Sequence, residues 1–157
     1  MLLKLKIWLL LWFYKTINGY YTVSTKLLFA QAYHETGNFK SEVYKENKNL
    51  FGMREAKVRK KTAIGTNKGH AVYKNHRQSI IDYFLRQKNF NIPNSSDNTY
   101  MLNTVASNYA EDPLYLQKWR ALKTKVKVPF VVNILVYGGL FFLLLIMFLI
   151  LRKTSKQ

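Results

Sequence analysis

A mainly α fold of the α+β type, with one short β-hairpin lobe and an apolar C-terminal helix long enough to cross a membrane, is what this chain of 157 residues predicts. Three observations predict it. Apolar side chains recur at three- and four-residue steps through most of residues 23–126, the mark of helices with one buried face. Residues 54–74 break that rhythm and scatter Val58, Thr62, Ile64, Val72 and Tyr73 around the turn-forming GTNKG, as a hairpin does. Residues 130–151 form an uncharged run of 22, which at about 1.5 Å per residue reaches roughly 33 Å, enough for a hydrocarbon core of about 30 Å.

Taken in order, residues 1–18 form an apolar amino-terminal helix. Lys4 and Lys6 interrupt it, the uncharged run 7–14 is too short to span, and no small-residue cleavage site follows, so it is expected to stay attached and lie at the membrane surface. Residues 26–33 read as the last turns of an amphipathic helix, with Ser24 as N-cap and Gly37 just past its end. Leu28, Ala32 and Glu35 share one face. After the hairpin, residues 76–89 carry Ile80, Ile81, Phe84 and Leu85 on a stripe, with Asn75 or Ser79 as cap. NIPNSSDN at 91–98 is a loop. Met101, Leu102, Val105, Ala106 and Tyr109 then mark another helical face, and Asp112 and Pro113 open a last helix whose stripe is Tyr115, Trp119, Leu122 and Val126. The expected division is residues 1–18, a catalytic-sized domain at 19–127, the span at 128–152 and a basic tail at 153–157.

Composition limits the chemistry. There is no cysteine, so neither disulfides nor thiolate metal sites are possible. Twenty-five basic against eight acidic residues give a formal net charge of +17, which suits an anionic partner such as a wall polymer or a lipid surface. Nucleic acid is not an expected partner, because no stacking-aromatic motif or recognised binding pattern accompanies the charge. Basic residues flank the long apolar run equally, so its orientation is open. His34-Glu35 begins like a zinc-protease signature, but Asn38 stands where the second histidine belongs. No metal or cofactor is expected.

The most informative stretch is HETGNFKSEVYKENKNLFG at 34–52. It sets Glu35 in the last turn of a helix, near carbonyls of partial negative charge and on the core-facing side, and both surroundings favour the protonated acid. A carboxyl kept neutral near pH 6 to 7 can donate a proton to a glycosidic oxygen. AQAYHETGNF (30–39), NLFGM (49–53), HAVYKNHRQSIIDYF (70–84) and NYAEDPLY (108–115) together resemble, in order, the motifs of glycoside hydrolase family 73, the N-acetylglucosaminidase domains of bacterial and phage peptidoglycan hydrolases. The resemblance covers roughly 23–122. It implies a lysozyme-like fold and an endo-β-N-acetylglucosaminidase acting on peptidoglycan strands, and leaves open whether residues 9–17 belong to that fold.

The resemblance also implies site residues: Glu35 as general acid, Tyr109 across the cleft from it, Glu55 as the nearest match to a second glutamate of the small lobe, and Asn49, Phe51, Tyr73 and Tyr115 as substrate-binding residues. Glu55 follows NLFGMR too closely for a firm correspondence. Without it, a single-glutamate mechanism remains, as in lytic transglycosylases, or assistance by the substrate's own N-acetyl group. A catalytically inactive wall-binding membrane module is the other alternative. The seven cations of residues 54–74 read either as a basic lip over the cleft or as a solvated hairpin surface. Small size and membrane segments suit a phage particle with an internal membrane or a bacterial envelope.

Overall fold

The computed structural model describes residues 2–127, and residues 6–126 form one compact unit that contains the whole site. Its elements are α1 (Leu2–Ile17), α2 (Thr25–Glu35), α3 (Glu42–Asn47), β1 (Gly65–Asn67), β2 (His70–Val72), α4 (His76–Asn89), α5 (Asp97–Ala106) and α6 (Tyr115–Lys125). This is the mainly helical α+β architecture expected, with one two-stranded antiparallel sheet. Among the described residues no helix is long and apolar enough to cross a membrane. The apolar run 130–151 lies outside them.

The centre of the fold is α2. From Thr25 to Ala32 all positions but Lys26 are buried, so α2 is enclosed nearly all round rather than amphipathic, as a helix at the middle of a small bundle must be. Ser24 caps it, accepting from the Leu27 N–H, and Asp97 at the start of α5 holds Ser24 in turn through its N–H at 2.7 Å. Asp97, expected in a loop, thus ties α5 to the α2 N-terminus. The α6 helix lies along α2, with the Trp119 indole donating to the Leu27 carbonyl at 3.0 Å.

The first helix is part of this unit. Ile7, Trp8, Leu11 and Tyr14 are buried at helical spacing, and Trp8 packs on Phe29 of α2 at 5.4 Å. A boundary at residue 18 therefore does not separate α1 from the domain. Its opposite face presents Leu9, Trp12, Phe13 and Ile17 to the exterior.

The hairpin is shorter than expected. Gly65 pairs with Val72 and Asn67 with His70 around a two-residue turn at Lys68 and Gly69, both at positive φ, the geometry that matches strand twist. Asn75 caps α4 by accepting from Gln78 N–H. Ser79, the other candidate cap, is buried and accepts from Leu50 N–H at 2.9 Å, which docks the NLFGM turn on α4. Asn108 takes a left-handed φ of 56°, ending the α5 run before Tyr109, so Tyr109 is not on a helical face. Pro113 and Leu114 form a turn, with Asp112 accepting from the Leu114 N–H, and α6 begins at Tyr115.

Candidate active site

Glu35 is the last residue of α2, where the chain leaves through a left-handed turn at Gly37, Asn38 and Phe39. Thr36 makes that exit rigid: its hydroxyl donates to the Ala32 carbonyl at 2.6 Å and accepts from the Phe39 N–H at 2.9 Å. Glu35 is half-buried, and burial pushes its carboxyl up to about 7 against the opposing pull of a hydrogen bond from Tyr115. A group with this pKa is protonated over much of the range near neutrality and gives up its proton readily, the requirement for a general acid.

The two carboxyl oxygens have different surroundings. Oε1 accepts from the Tyr115 hydroxyl at 2.5 Å. Oε2 faces Gly52: a Cβ placed there would stand 2.7 Å from it. Gly52 has a φ of +60°, so both its conformation and its lack of a side chain are required, and the sequence pointed only to the first. Asn49 builds this turn. It is 2% exposed, accepts from the N–H groups of Phe51 and Met53, and donates to the carbonyls of Met53 and Ala71. All its polar capacity is spent on this turn and on β2, so it supports the cleft wall from behind.

Tyr115 is held from behind. Gln31 donates to its hydroxyl at 3.2 Å and accepts from Tyr83 at 2.7 Å, and Tyr83 meets Tyr100 and Gln87 in the same buried network. Gln31 is fully buried. Such a fully satisfied network fixes its members because every rotation leaves a buried group unpaired. Tyr115→Phe should therefore move the alkaline limb of the pH–activity profile upward, since the lost hydrogen bond favours the charged carboxylate, and should lower the maximum rate as well. An unmoved limb with a lower rate would assign Tyr115 to packing alone.

The other expected residues divide. Phe51 lines the cleft and stacks on Tyr83 at 3.9 Å. Tyr109 also lines it, but its hydroxyl donates to the Phe51 carbonyl at 2.6 Å; Tyr115, expected to bind substrate, is the tyrosine that reaches the acid. Tyr73 is not in the cleft: it is 2% exposed and donates to Asp82 at 2.7 Å. Asp82 also takes Arg59 at 2.8 Å, fastening the loop after NLFGM to α4. Glu55 turns away from the cleft, bound to Lys61 and Thr66, each at 2.6 Å, which hold its carboxylate below the usual range.

The cleft has a volume of about 720 Å³, and its walls come from the α2 end, the loop after NLFGM, the end of α4 and the α5–α6 connection. Of the cationic segment Arg54, Lys57 and Arg59 line it, Arg54 paired with Glu111 and Arg59 with Asp82. Lys61 and Lys68 are paired with Glu55 and with Glu42 and Glu46. Besides Glu35, the acids at the cleft are Glu111 and Asp112, which meet Arg54 at 3.6 Å and Lys118 at 2.6 Å. Two residues gave no signal of their role in the sequence: Arg86 lies beyond the 70–84 motif, and Gln31, inside AQAYHETGNF, stands at a helix position that nothing distinguishes from core.

A carboxyl whose pKa burial raises at a helix end, beside an open cleft between helices and a small β lobe, fits an α+β lysozyme-like domain. A family model described as Glucosaminidase, mannosyl-glycoprotein endo-beta-N-acetylglucosaminidase, matches residues 13–127. The chain belongs to this glucosaminidase family, which implies a glycoside hydrolase acting on peptidoglycan. No curated protein and no solved structure gives a significant match.

Proposed function

We propose that the protein is a membrane-tethered endo-β-N-acetylglucosaminidase that cuts a β-1,4 bond of the peptidoglycan strand with Glu35 as general acid. One observation carries the reading: a carboxyl with a pKa of about 7 is fixed at Oε1 by Tyr115 while Oε2 lies close against Gly52 at the cleft, where any side chain would collide with it. The proton to be transferred sits on Oε2, and the glycosidic oxygen takes it as the bond breaks. Lysis of wall embedded in a gel tests the activity. Reducing N-acetylglucosamine ends on the products test the bond.

Glu55 is not the partner carboxylate in this reading. Its ion pair and hydrogen bond hold it outside the cleft, so Glu55→Gln should leave lysis close to wild type, far from the roughly 10² to 10⁴-fold cost of losing a general base. The substrate's N-acetyl group then assists at the anomeric carbon. The same single acid favours a second reading, a lytic transglycosylase, which 1,6-anhydro-muramyl products would establish instead.

For the setting, the uncharged run 130–151 supports a single membrane span, and the outer face of α1 supports contact with the bilayer surface. Leu9, Trp12, Phe13 and Ile17 lie exposed beside a groove lined by Lys6, Lys48, Lys74 and Arg77, the pairing of apolar face and cations that interfacial helices use. A phage particle with an internal membrane and a bacterial envelope both fit this format. Truncation after Lys127 should release a soluble, lytic domain, or one held to vesicles by α1 alone. Deleting α1 is not the control, because burying Ile7, Trp8 and Leu11 contributes about 1.5 to 3 kcal/mol each. Trp12→Ser with Phe13→Ser should free the truncated domain from vesicles without unfolding it.

A further inference from the structure

Arg86 is 8% exposed, yet it lines the cleft. Its guanidinium lies between the rings of Phe90 and Tyr109, at 4.5 and 4.6 Å from their centroids. Nη1 donates to Gln87 Oε1 at 2.9 Å, and Nη2 to the Ser107 carbonyl and hydroxyl, each at 3.0 Å. Every one of these acceptors is neutral. Among the described residues no carboxylate comes within ion-pair distance of Arg86, and the nearby charge of Arg59 repels it.

A guanidinium removed from water without an anion is costly, by several kcal/mol even after relaxation. Holding Ser107 does not require that cost, since a neutral donor would serve. The geometry also leaves capacity unused: of five N–H donors, Nε–H and one on Nη1 have no partner. No buried side-chain nitrogen in the described residues is unsatisfied, so Nε is not wholly buried, and Arg86 lines the cleft. Tyr109 separates Arg86 from the acid: its ring touches the guanidinium on one side and the Tyr115 ring, at 5.8 Å, on the other. Arg86 and Glu35 thus line one cleft with Tyr109 and Tyr115 between them.

We propose that Arg86 is an anion subsite of the glycan cleft that receives a carboxylate carried by the muramyl residue of the strand. The inference rests on the wall-glycan reading above and adds what distinguishes muramyl from glucosaminyl units in this cleft. N-acetylglucosamine is neutral, and the two sugars otherwise differ only at the lactyl ether. A cation there selects register, because one sugar of each disaccharide repeat can satisfy it and the other cannot. The carboxylate can belong to the lactyl group of a peptide-stripped strand or to the stem peptide of an intact one.

The test uses the full-length chain in neutral detergent with Glu35→Gln, so that bound strands are not cut, and reads affinity by calorimetry. A peptide-stripped muramyl-glucosaminyl tetrasaccharide should bind about tenfold more tightly than tetra-N-acetylchitotetraose, a difference of about 1.4 kcal/mol. Converting the lactyl carboxylates to methyl amides should abolish that preference without any change to the protein. Adding Arg86→Met, which keeps the stacked volume, should do the same, and Arg86→Lys should retain part of it. A version carrying stem peptides locates the source: preference confined to it assigns the carboxylate to the peptide. Equal affinities for all ligands, a preference that survives amidation, or binding only of a glycerol-phosphate polymer would overturn the proposal. Wall lysis by the unmodified chain is a separate readout, so failure of the hydrolase reading and failure of this subsite are distinguishable.

Discussion

Glu35→Gln should abolish wall lysis while leaving the fold intact. Glutamine keeps the volume and still accepts the Tyr115 hydrogen bond at its amide oxygen, but it has no proton to give. Loss of general acid catalysis costs roughly 10² to 10⁴-fold, and residual lysis above about a tenth of wild type would remove Glu35 from the mechanism. The pH dependence has a definite sign. The working form is protonated, so wild-type activity should fall as pH rises through about 7, the value to which burial pushes the group. Stability should carry the same signature. The carboxyl ionises near 4.5 when unfolded and near 7 when folded, so the native state loses stability as pH rises between those values and recovers none above them. Thermal melts of wild type and Glu35→Gln should agree near pH 4, with the variant melting higher at pH 8. Melts that differ equally at both pH values would mean that the shifted pKa is wrong.

Gly52→Ala should be nearly as damaging without touching an ionisable group. At φ +60° an L residue costs about 1 to 2 kcal/mol, a loss the domain can survive with a modest drop in melting temperature. The larger effect is steric. The new Cβ would stand 2.7 Å from Oε2, so either the carboxyl swings off Tyr115 or the NLFGM turn moves away from α2. A misplacement of about 1 Å at a reacting group costs on the order of 10²-fold. A variant with wild-type lysis and an unshifted pH profile would show that Oε2 does not need that space. Gly19, whose missing side chain faces open space, is the control: Gly19→Ala at φ +87° should cost stability and leave specific activity unchanged.

Much of the helical framework was legible in the residues because it rests on local signals. Ser24 and Asn75 cap where a short polar side chain precedes an apolar run, and Gly37 ends α2 as a left-handed residue should. The position of Glu35 at a helix end was readable for the same reason, and its raised pKa follows from burial on the inner side of that helix. The hairpin was legible as a turn between two short apolar segments.

Local pattern failed where a contact joins distant segments. Nothing near Tyr115 in sequence says that its hydroxyl reaches a glutamate eighty positions earlier, whereas Tyr109, which sits between the same walls, spends its hydroxyl on the Phe51 carbonyl. The resemblance placed Tyr73 with the substrate-binding residues, but in three dimensions its hydroxyl donates to the buried carboxylate of Asp82. The amino-terminal helix was ambiguous in another way. Its two faces are both apolar, so its composition reads as membrane-surface throughout, and only packing against Phe29 reveals which face the core claims.

The sequence by itself determined the main helices α2 and α4, their caps at Ser24 and Asn75, and the place of Glu35 at a helix end, because each is written in neighbours within a turn or two of the chain; the short α3 and the starts of α5 and α6 were not legible there. Only the tertiary structure decided which oxygen of that carboxyl Tyr115 holds and which lies against Gly52, that Glu55 is bound to Lys61 and Thr66, and that Arg86 lines the cleft without an ion-pair partner among the described residues. These are settled by the convergence of α2, α6, the NLFGM turn and the end of α4 on one volume. Hydrogen-bond partners in such a volume are fixed by distance in space, and periodicity along the chain carries no record of it.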